Sequence, residues 1–231
     1  MRFFRTVAMV VGIGAAASAA ADTGRMIVTS GTSTVEQAPD MAVIEMGVTQ
    51  QAPDAGDALD ATSAALRAVL DSLSGVGIEA RDIATSHISL QPVWSNRIPG
   101  EEDAPRITGF QASNTLSVRI RNLALLGDVM GVAVGDGANR FNGVRFAFQD
   151  PEPLNDRARA AAVRDAMRRA AQLAEASGVA LGPVQSITER SGGRPAPMME
   201  MAAASRASGV PVAAGEMSVS VTVDMVFQIA E

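Results

Sequence analysis

Hydrophobic and polar residues alternate along several segments of this chain, and a two-residue period is typical of β-strands that bury one face. The alternation is clearest near the C-terminus, where Met217, Val219 and Val221 start a run of apolar positions with mostly polar residues between them. We therefore predict strands over residues 26–35, 41–49, 83–90, 111–121, 144–148, 184–190 and 217–229.

Two other segments repeat apolar or small residues at the spacing of an α-helix, and we predict helices over residues 53–75 and 150–177, with a short helix over 123–134 between them. The first and the last begin beside a proline, which suits a first helical turn, and end at a glycine, which suits a helix C-terminus. In the last helix a small residue recurs at every fourth position, so one narrow face can lie close against a sheet: Ala158, Ala162, Ala166, Ala170 and Ala174.

The order strand, helix, strand, loop and long alternating strand occurs twice, over residues 41–121 and 142–229. The helices end in similar turns, Gly-Val-Gly-Ile at 75–78 and Gly-Val-Ala-Leu at 178–181. The alternating strands need cover on their apolar faces alone, as in antiparallel sheets. The pattern predicts an α+β fold in which a duplicated β-α-β-β unit forms antiparallel sheets with helices packed on one face.

The N-terminus predicts export from the cytoplasm. Arg2 and Arg5 precede an apolar run of roughly a dozen residues, which is too short to cross a bilayer as a stable helix. The small residues Ala19 and Ala21 then suit signal peptidase. We expect residues 1–21 to be a signal peptide that is cleaved near Ala21, which leaves a periplasmic protein.

Composition narrows the possible functions of the remaining domain, residues 22–231. The absence of cysteine excludes disulfides, a thiol nucleophile and a lipidated N-terminal cysteine, and every basic residue is arginine. A formal net charge of −6 without a basic aromatic stripe argues against nucleic acid as a partner. No transmembrane segment is expected after residue 21, and residues 191–215, rich in small residues and proline, predict a long mobile loop.

An ordered set of short motifs resembles a known family, although no single motif is specific. The set includes Pro39-Asp40 after Gly31, Gly77-Ile78, Gly109-Phe110-Gln111-Ala112 with Asn114, Gly137-Ala138-Asn139, and Gly178-Val179 with Leu181-Gly182. On these residues the chain resembles the SIMPL-domain family over nearly the whole region after the signal. The family usually has tyrosine where Trp94 and Phe110 stand here, so this chain keeps an aromatic ring but lacks the phenol. The resemblance implies an envelope protein that has no established catalytic activity and is associated with stress responses.

The residues themselves predict no catalytic centre. His87 is the only histidine, and the alternation places it on one strand face with Thr85 and Ser89. A general base needs a positioned partner and a pocket, and a single histidine on a polar strand face is more often simply exposed. The chain has no nucleophile-elbow signature either, so we predict that the protein is not an enzyme.

Two loops are candidates for binding. Met198, Met199 and Met201 offer thioethers, which suit Cu(I) and reversible oxidation, although three methionines in an alanine-rich loop also suit contact with a partner. Around the first long loop the candidate ligand or contact residues are Trp94, Arg97, Arg106 and Phe110. Trp94 and Arg97 could stack on or clamp an anionic ligand, or Trp94 could instead pack the loop onto the sheet. We predict no cofactor.

The favoured hypothesis is a non-enzymatic periplasmic envelope protein that self-associates into a homo-oligomer. Long alternating strands leave exposed edges, and such edges are protected by pairing or by assembly. The alternative is an envelope protein that binds a ligand or a metal through residues 94–110 or 198–201.

Overall fold

The computed structural model describes four parts of the chain, residues 24–95, 104–190, 196–198 (backbone only) and 213–230. The predicted signal peptide and most of the predicted loop over 191–215 lie outside them. So do Arg97, Met199 and Met201.

Strands make up most of the described chain. In chain order they are β1 Met26–Gln37, β2 Met41–Ala52, β3 Ile83–Trp94, β4 Ile107–Ile120, β5 Arg140–Ala147, β6 Ala180–Arg190, β7 Ala196–Met198 and β8 Glu216–Ala230. The helices are α1 Ala55–Gly75, α2 Leu126–Gly135 and α3 Glu152–Ser177, with single 3₁₀ turns at Ala80–Asp82 and Leu123–Leu125. The predicted elements are all present, and β7 is a short strand inside the segment predicted as loop.

The strands form two antiparallel sheets. One sheet has the order β1-β8-β6, with β7 also paired to β8, and the other has the order β3-β4-β2-β5. Helix α3 packs on the first sheet, and α1 packs on the second. The predicted class, α+β with antiparallel sheets and helices on one face, is confirmed.

The two sheets share a plan, with one exchange of strands. The order β3-β4-β2 corresponds to β6-β8-β1, and in each case the helix lies over the central strand and the strand beside it. The strand before α3 in the sequence is β5, yet β5 pairs with β2 at the edge of the other sheet, and β1 fills the matching place beside β8. Alternation identifies a strand but not its partner, so the sequence did not reveal this exchange.

Each sheet has a buried core beneath its helix. Under α1, Ile44, Met46 and Val48 of β2 are fully buried against apolar residues of α1, α2 and β4. Burying a side chain of this size contributes roughly 1.5–3 kcal/mol. Under α3, the alanine face predicted from the sequence packs on the apolar residues of β8. Phe146 of β5 packs against both cores and so links the two halves.

Helix α3 lies unusually close to β1. A Cβ atom added to Gly31 would be 2.1 Å from the Ala162 carbonyl oxygen and 2.3 Å from the Ala166 backbone nitrogen. The Thr32 backbone N–H also donates a hydrogen bond to Asp165 Oδ2 over 3.2 Å. Only a strand residue without a side chain allows a helix of alanines to approach this closely.

A charged pair ties the start of β3 to the end of β4. Arg121 Nε and Nη2 donate to the two oxygens of Asp82, each over 2.7 Å, and the Asp82 side chain is 4% exposed. These charge-assisted hydrogen bonds lower the pKa of Asp82 against the opposing effect of its burial.

We expect Gly31→Ala to destabilise the protein by about 1–3 kcal/mol, since the added methyl group overlaps backbone atoms of α3. Gly131→Ala is the control, because nothing lies within 4 Å of the added Cβ and helix α2 should gain about 0.5–1 kcal/mol. Urea unfolding measures both free energies. Equal stability of Gly31→Ala and the wild type would contradict the close approach.

We expect Asp82→Asn to lose about 1–3 kcal/mol at pH 7, because the variant removes hydrogen bonds between charged groups. The native pKa of Asp82 is lowered, so its stabilisation is complete above the unfolded pKa of about 4 and is lost as the pH falls through the native value. The gap between wild type and variant should therefore shrink on acidification. Asp60→Asn, at an exposed site on α1, should show little effect at any pH. A gap that stays constant down to pH 2 would contradict the role of the pair.

Candidate functional site

The face of the β3-β4-β2-β5 sheet opposite α1 is open and polar, and it holds a groove of about 410 Å³. Each of the four strands of this sheet contributes side chains to the groove. The lining residues are Glu45, Ser86, His87, Ser89, Gln91, Gln111, Ser113, Thr115, Arg140 and Asn142. Hydroxyl, amide and charged groups thus replace the apolar lining that is common in small-molecule sites.

The strand register sets the length of the groove. His87 pairs with Thr115, Thr115 pairs with Gly47, and Gly47 pairs with Arg140, which makes one row across the sheet. Three strand spacings place the outer members of this row about 14 Å apart. At its centre Gly47 has no side chain, and a Cβ atom there would lie 2.3 Å from the Asn114 carbonyl oxygen. Because Gly47 has no side chain, the middle of this sheet face has space for a ligand.

The floor of the groove is built of buried hydroxyl groups. Ser113 and Thr115 are 3% and 5% exposed. The hydroxyls of Ser113 and Thr49 are hydrogen-bonded over 2.8 Å, and beside them Gln51 Nε2 donates to Gln111 Oε1 over 2.9 Å. These bonds fix the side chains of the floor in place.

A bulge in β3 shapes one wall. The register shifts between Thr85 and His87, and Ser86 is the extra residue. The Ser86 hydroxyl donates to Glu45 Oε2 over 2.8 Å. Because of the bulge, His87 and Ser89 line the polar groove, whereas Thr85 lines an apolar depression beside α1. The prediction that Thr85 shares a face with His87 was wrong, since an uninterrupted alternation was assumed.

The charged groups of the groove do not pair with one another. Glu45 and Arg140 line the same groove from neighbouring strands, and within the described ranges neither forms an ion pair. His87 lies on the opposite edge strand. Among the described residues, no three His, Cys, Asp or Glu side chains converge as a metal site would require.

The ligand residues predicted around the first loop lie at the end of the β3–β4 hairpin, apart from the groove lining. Trp94 pairs with Ile107 and is 54% exposed, and Phe110 pairs with Pro92. The Ser95 backbone N–H donates to the Arg106 carbonyl oxygen over 2.8 Å, which closes the hairpin. Trp94, Arg106 and Phe110 thus share one region, while Arg97 is outside the described residues.

Of the three methionines suggested as weak metal ligands, the backbone of Met198 alone is described. It is the last residue of β7 and pairs with Glu216. Met199 and Met201 lie outside the described residues. The thioether site stays a prediction.

Sequence reasoning missed the polar groove as a unit. Its polar positions could be read along β2, β3 and β4 one strand at a time, but their convergence depends on cross-strand register and on the bulge at Ser86. Arg140 and Asn142 arrive through the pairing of β5 with β2, which alternation does not specify.

Comparison with known proteins assigns this chain to a protein family. Residues 27–227 match the family model described as SIMPL, a protein of unknown function (DUF541). The chain belongs to the SIMPL family, as its motifs indicated.

The alignments with similar proteins cover most of this chain. It is 36% identical over 213 residues to the 26 kDa periplasmic immunogenic protein of Brucella melitensis biotype 1, covering 88% of this chain and 84% of that protein. It is 30% identical over 213 residues to the uncharacterized protein YggE of Escherichia coli K12, covering 89% and 84%. The similar protein of Edwardsiella ictaluri is 32% identical over 164 residues, covering 71% and 67%.

Trp94 is the only tryptophan, so its fluorescence reports on this end of the hairpin alone. Since the side chain is half exposed, we expect red-shifted emission that acrylamide quenches readily in dilute protein. Blue-shifted emission protected from acrylamide at the same dilution would contradict the exposed placement. The Trp94→Phe variant has no tryptophan and therefore measures the background fluorescence.

Proposed function

We propose that this chain is an exported periplasmic protein that assembles with copies of itself and has no catalytic centre. Support for the compartment comes from the export signal expected at residues 1–21 and from the periplasmic relatives. Across the parts of the chain described, no helix has the length and apolar character needed to cross a membrane. A setting in oxidative or envelope stress rests on the family resemblance alone.

The observation that carries the proposal is an uncovered apolar face on β3 and on β6. Helix α1 packs on β2 and β4, and α3 packs mainly on β1 and β8. On the outer strands, Ile88 and Leu90 of β3 are 60% and 40% exposed, and Val184 and Ile187 of β6 are 40% and 56% exposed. A folded chain in isolation gains nothing from leaving these side chains in water.

The same two strands end their sheets, so they also expose backbone hydrogen-bonding groups. Beside β3 lies an apolar depression of about 380 Å³ that includes Leu70, Ile78 and Ile83. A partner that added a strand there could satisfy the backbone groups and cover the apolar side chains together.

A second copy of this chain is the partner that fits best. The bare apolar edge occurs twice, at equivalent places in the two sheets, so each molecule offers two similar surfaces. Identical subunits that each carry two contact surfaces form closed rings when the rotation between them closes, and filaments when it does not.

A double variant, Ile88→Asp with Ile187→Asp, should shift the protein from an oligomer to a monomer at micromolar concentration, because each carboxylate would have to be buried on assembly. The matched control is Ala84→Asp with Ser186→Asp, which places the same charges on the same strands. Light scattering measures the mass of both, and we expect the control to remain oligomeric. A monomeric wild type, or an oligomeric Ile88→Asp and Ile187→Asp variant, would overturn the proposal.

A further inference from the structure

The polar groove contains two opposite charges that do not form an ion pair with each other within the described chain. Glu45 faces Gly143 and Gly47 faces Arg140 in the β2–β5 register, so Glu45 and Arg140 occupy diagonal positions on neighbouring strands. The Ser86 hydroxyl binds Glu45 Oε2, which orients the carboxylate and leaves its second oxygen for another donor. In the described chain Arg140 forms no ion pair with it.

The remaining lining selects for a ligand that is polar along its length. Ser113 and Thr115 are buried polar side chains on the floor, and Gln91, Gln111 and Asn142 offer amide donors and acceptors. The opposite charges of Glu45 and Arg140 cancel. A groove of this kind matches a molecule that also carries one positive and one negative group.

From this arrangement we propose that the groove binds a zwitterionic dipeptide. Glu45 receives the ammonium group, and Arg140 receives the carboxylate through its planar fork of donors. The Cα atoms of diagonal neighbours on adjacent strands lie about 7–8 Å apart. Two extended residues span about 7 Å, which matches this separation.

The rest of the groove accommodates the ligand's central amide and side chains. The groove volume of about 410 Å³ lies within the range of small-molecule sites, about 300–1,000 Å³. The floor hydroxyls and the glutamine amides provide partners for a peptide group. The site lies on the face opposite the apolar edges, so binding does not depend on self-association.

Calorimetric titration of the exported, purified protein with alanylalanine tests the proposal. We expect binding to the free dipeptide, and binding at least about tenfold weaker when its amine is acetylated or its carboxylate is amidated, since each change removes a charge-assisted hydrogen bond. A neutral disaccharide should not bind. No heat with alanylalanine, equal affinity for the capped dipeptides, or preference for the disaccharide would each overturn the proposal.

Three variants locate the site. Glu45→Gln and Arg140→Gln should each weaken binding at least about tenfold, because each removes one charge partner. Arg67→Gln is the control, since it removes one exposed arginine from helix α1, on the other side of the sheet from the groove. Circular dichroism confirms that all three fold. Unchanged affinity in both groove variants, or equal loss in the control, would place the ligand elsewhere.

The titration also separates this site from self-association. The Ile88→Asp with Ile187→Asp variant should bind alanylalanine as the wild type does, whatever its mass. Loss of binding in that variant would show that the groove requires a neighbouring subunit, and it would overturn the assignment of the site to one chain.

Discussion

An α-helix with its side chains is about 10 Å wide and β-strands lie about 4.8 Å apart, so one helix covers about two strands of a sheet. That width limit governs both halves of this molecule. Helix α1 lies over β2 and β4, α3 lies mainly over β1 and β8, and among the described residues the third strand of each unit receives little cover from a helix. The apolar residues of β3 and β6 are therefore exposed for a geometric reason. In the described parts of the chain no helix packs on the opposite faces of the sheets, and one of these faces holds the polar groove.

Small residues position the helix that covers the first sheet. The alanine face of α3 and the bare backbone of Gly31 bring helix and strand into contact, and this places α3 over β1 rather than over β6. Pairing of β5 with β2 then ties the two halves together, and Phe146 contributes to both cores. The same pairing carries Arg140 to the groove. The position of a charged side chain in the candidate site thus depends on a strand exchange between the repeats.

Much of the fold could be predicted from local patterns, because alternation and helical spacing are properties of single segments. The alanine face of α3 and the long strand β8 are examples. Three features depended on contacts between distant segments: the partner of β5, the bulge at Ser86 and the short strand β7. The groove was missed for the same reason, since Glu45, His87 and Arg140 lie on three separate strands. Trp94 and Phe110 drew attention as aromatic residues, yet they lie outside the groove lining.

Pairing of β1 with β8 joins the two ends of the described chain, from Met26 opposite Gln228 to Gln37 opposite Met217. Nearly the entire polypeptide must be present before β1 finds its neighbour, and contacts of such long sequence separation form slowly. The β3-β4-β2 unit involves nearer segments and can form earlier. A chain that threads through a membrane channel from its N-terminus would therefore keep β1 unpaired until its last strand had crossed. Such an order of events leaves the sheet that contains β1 incomplete until passage ends.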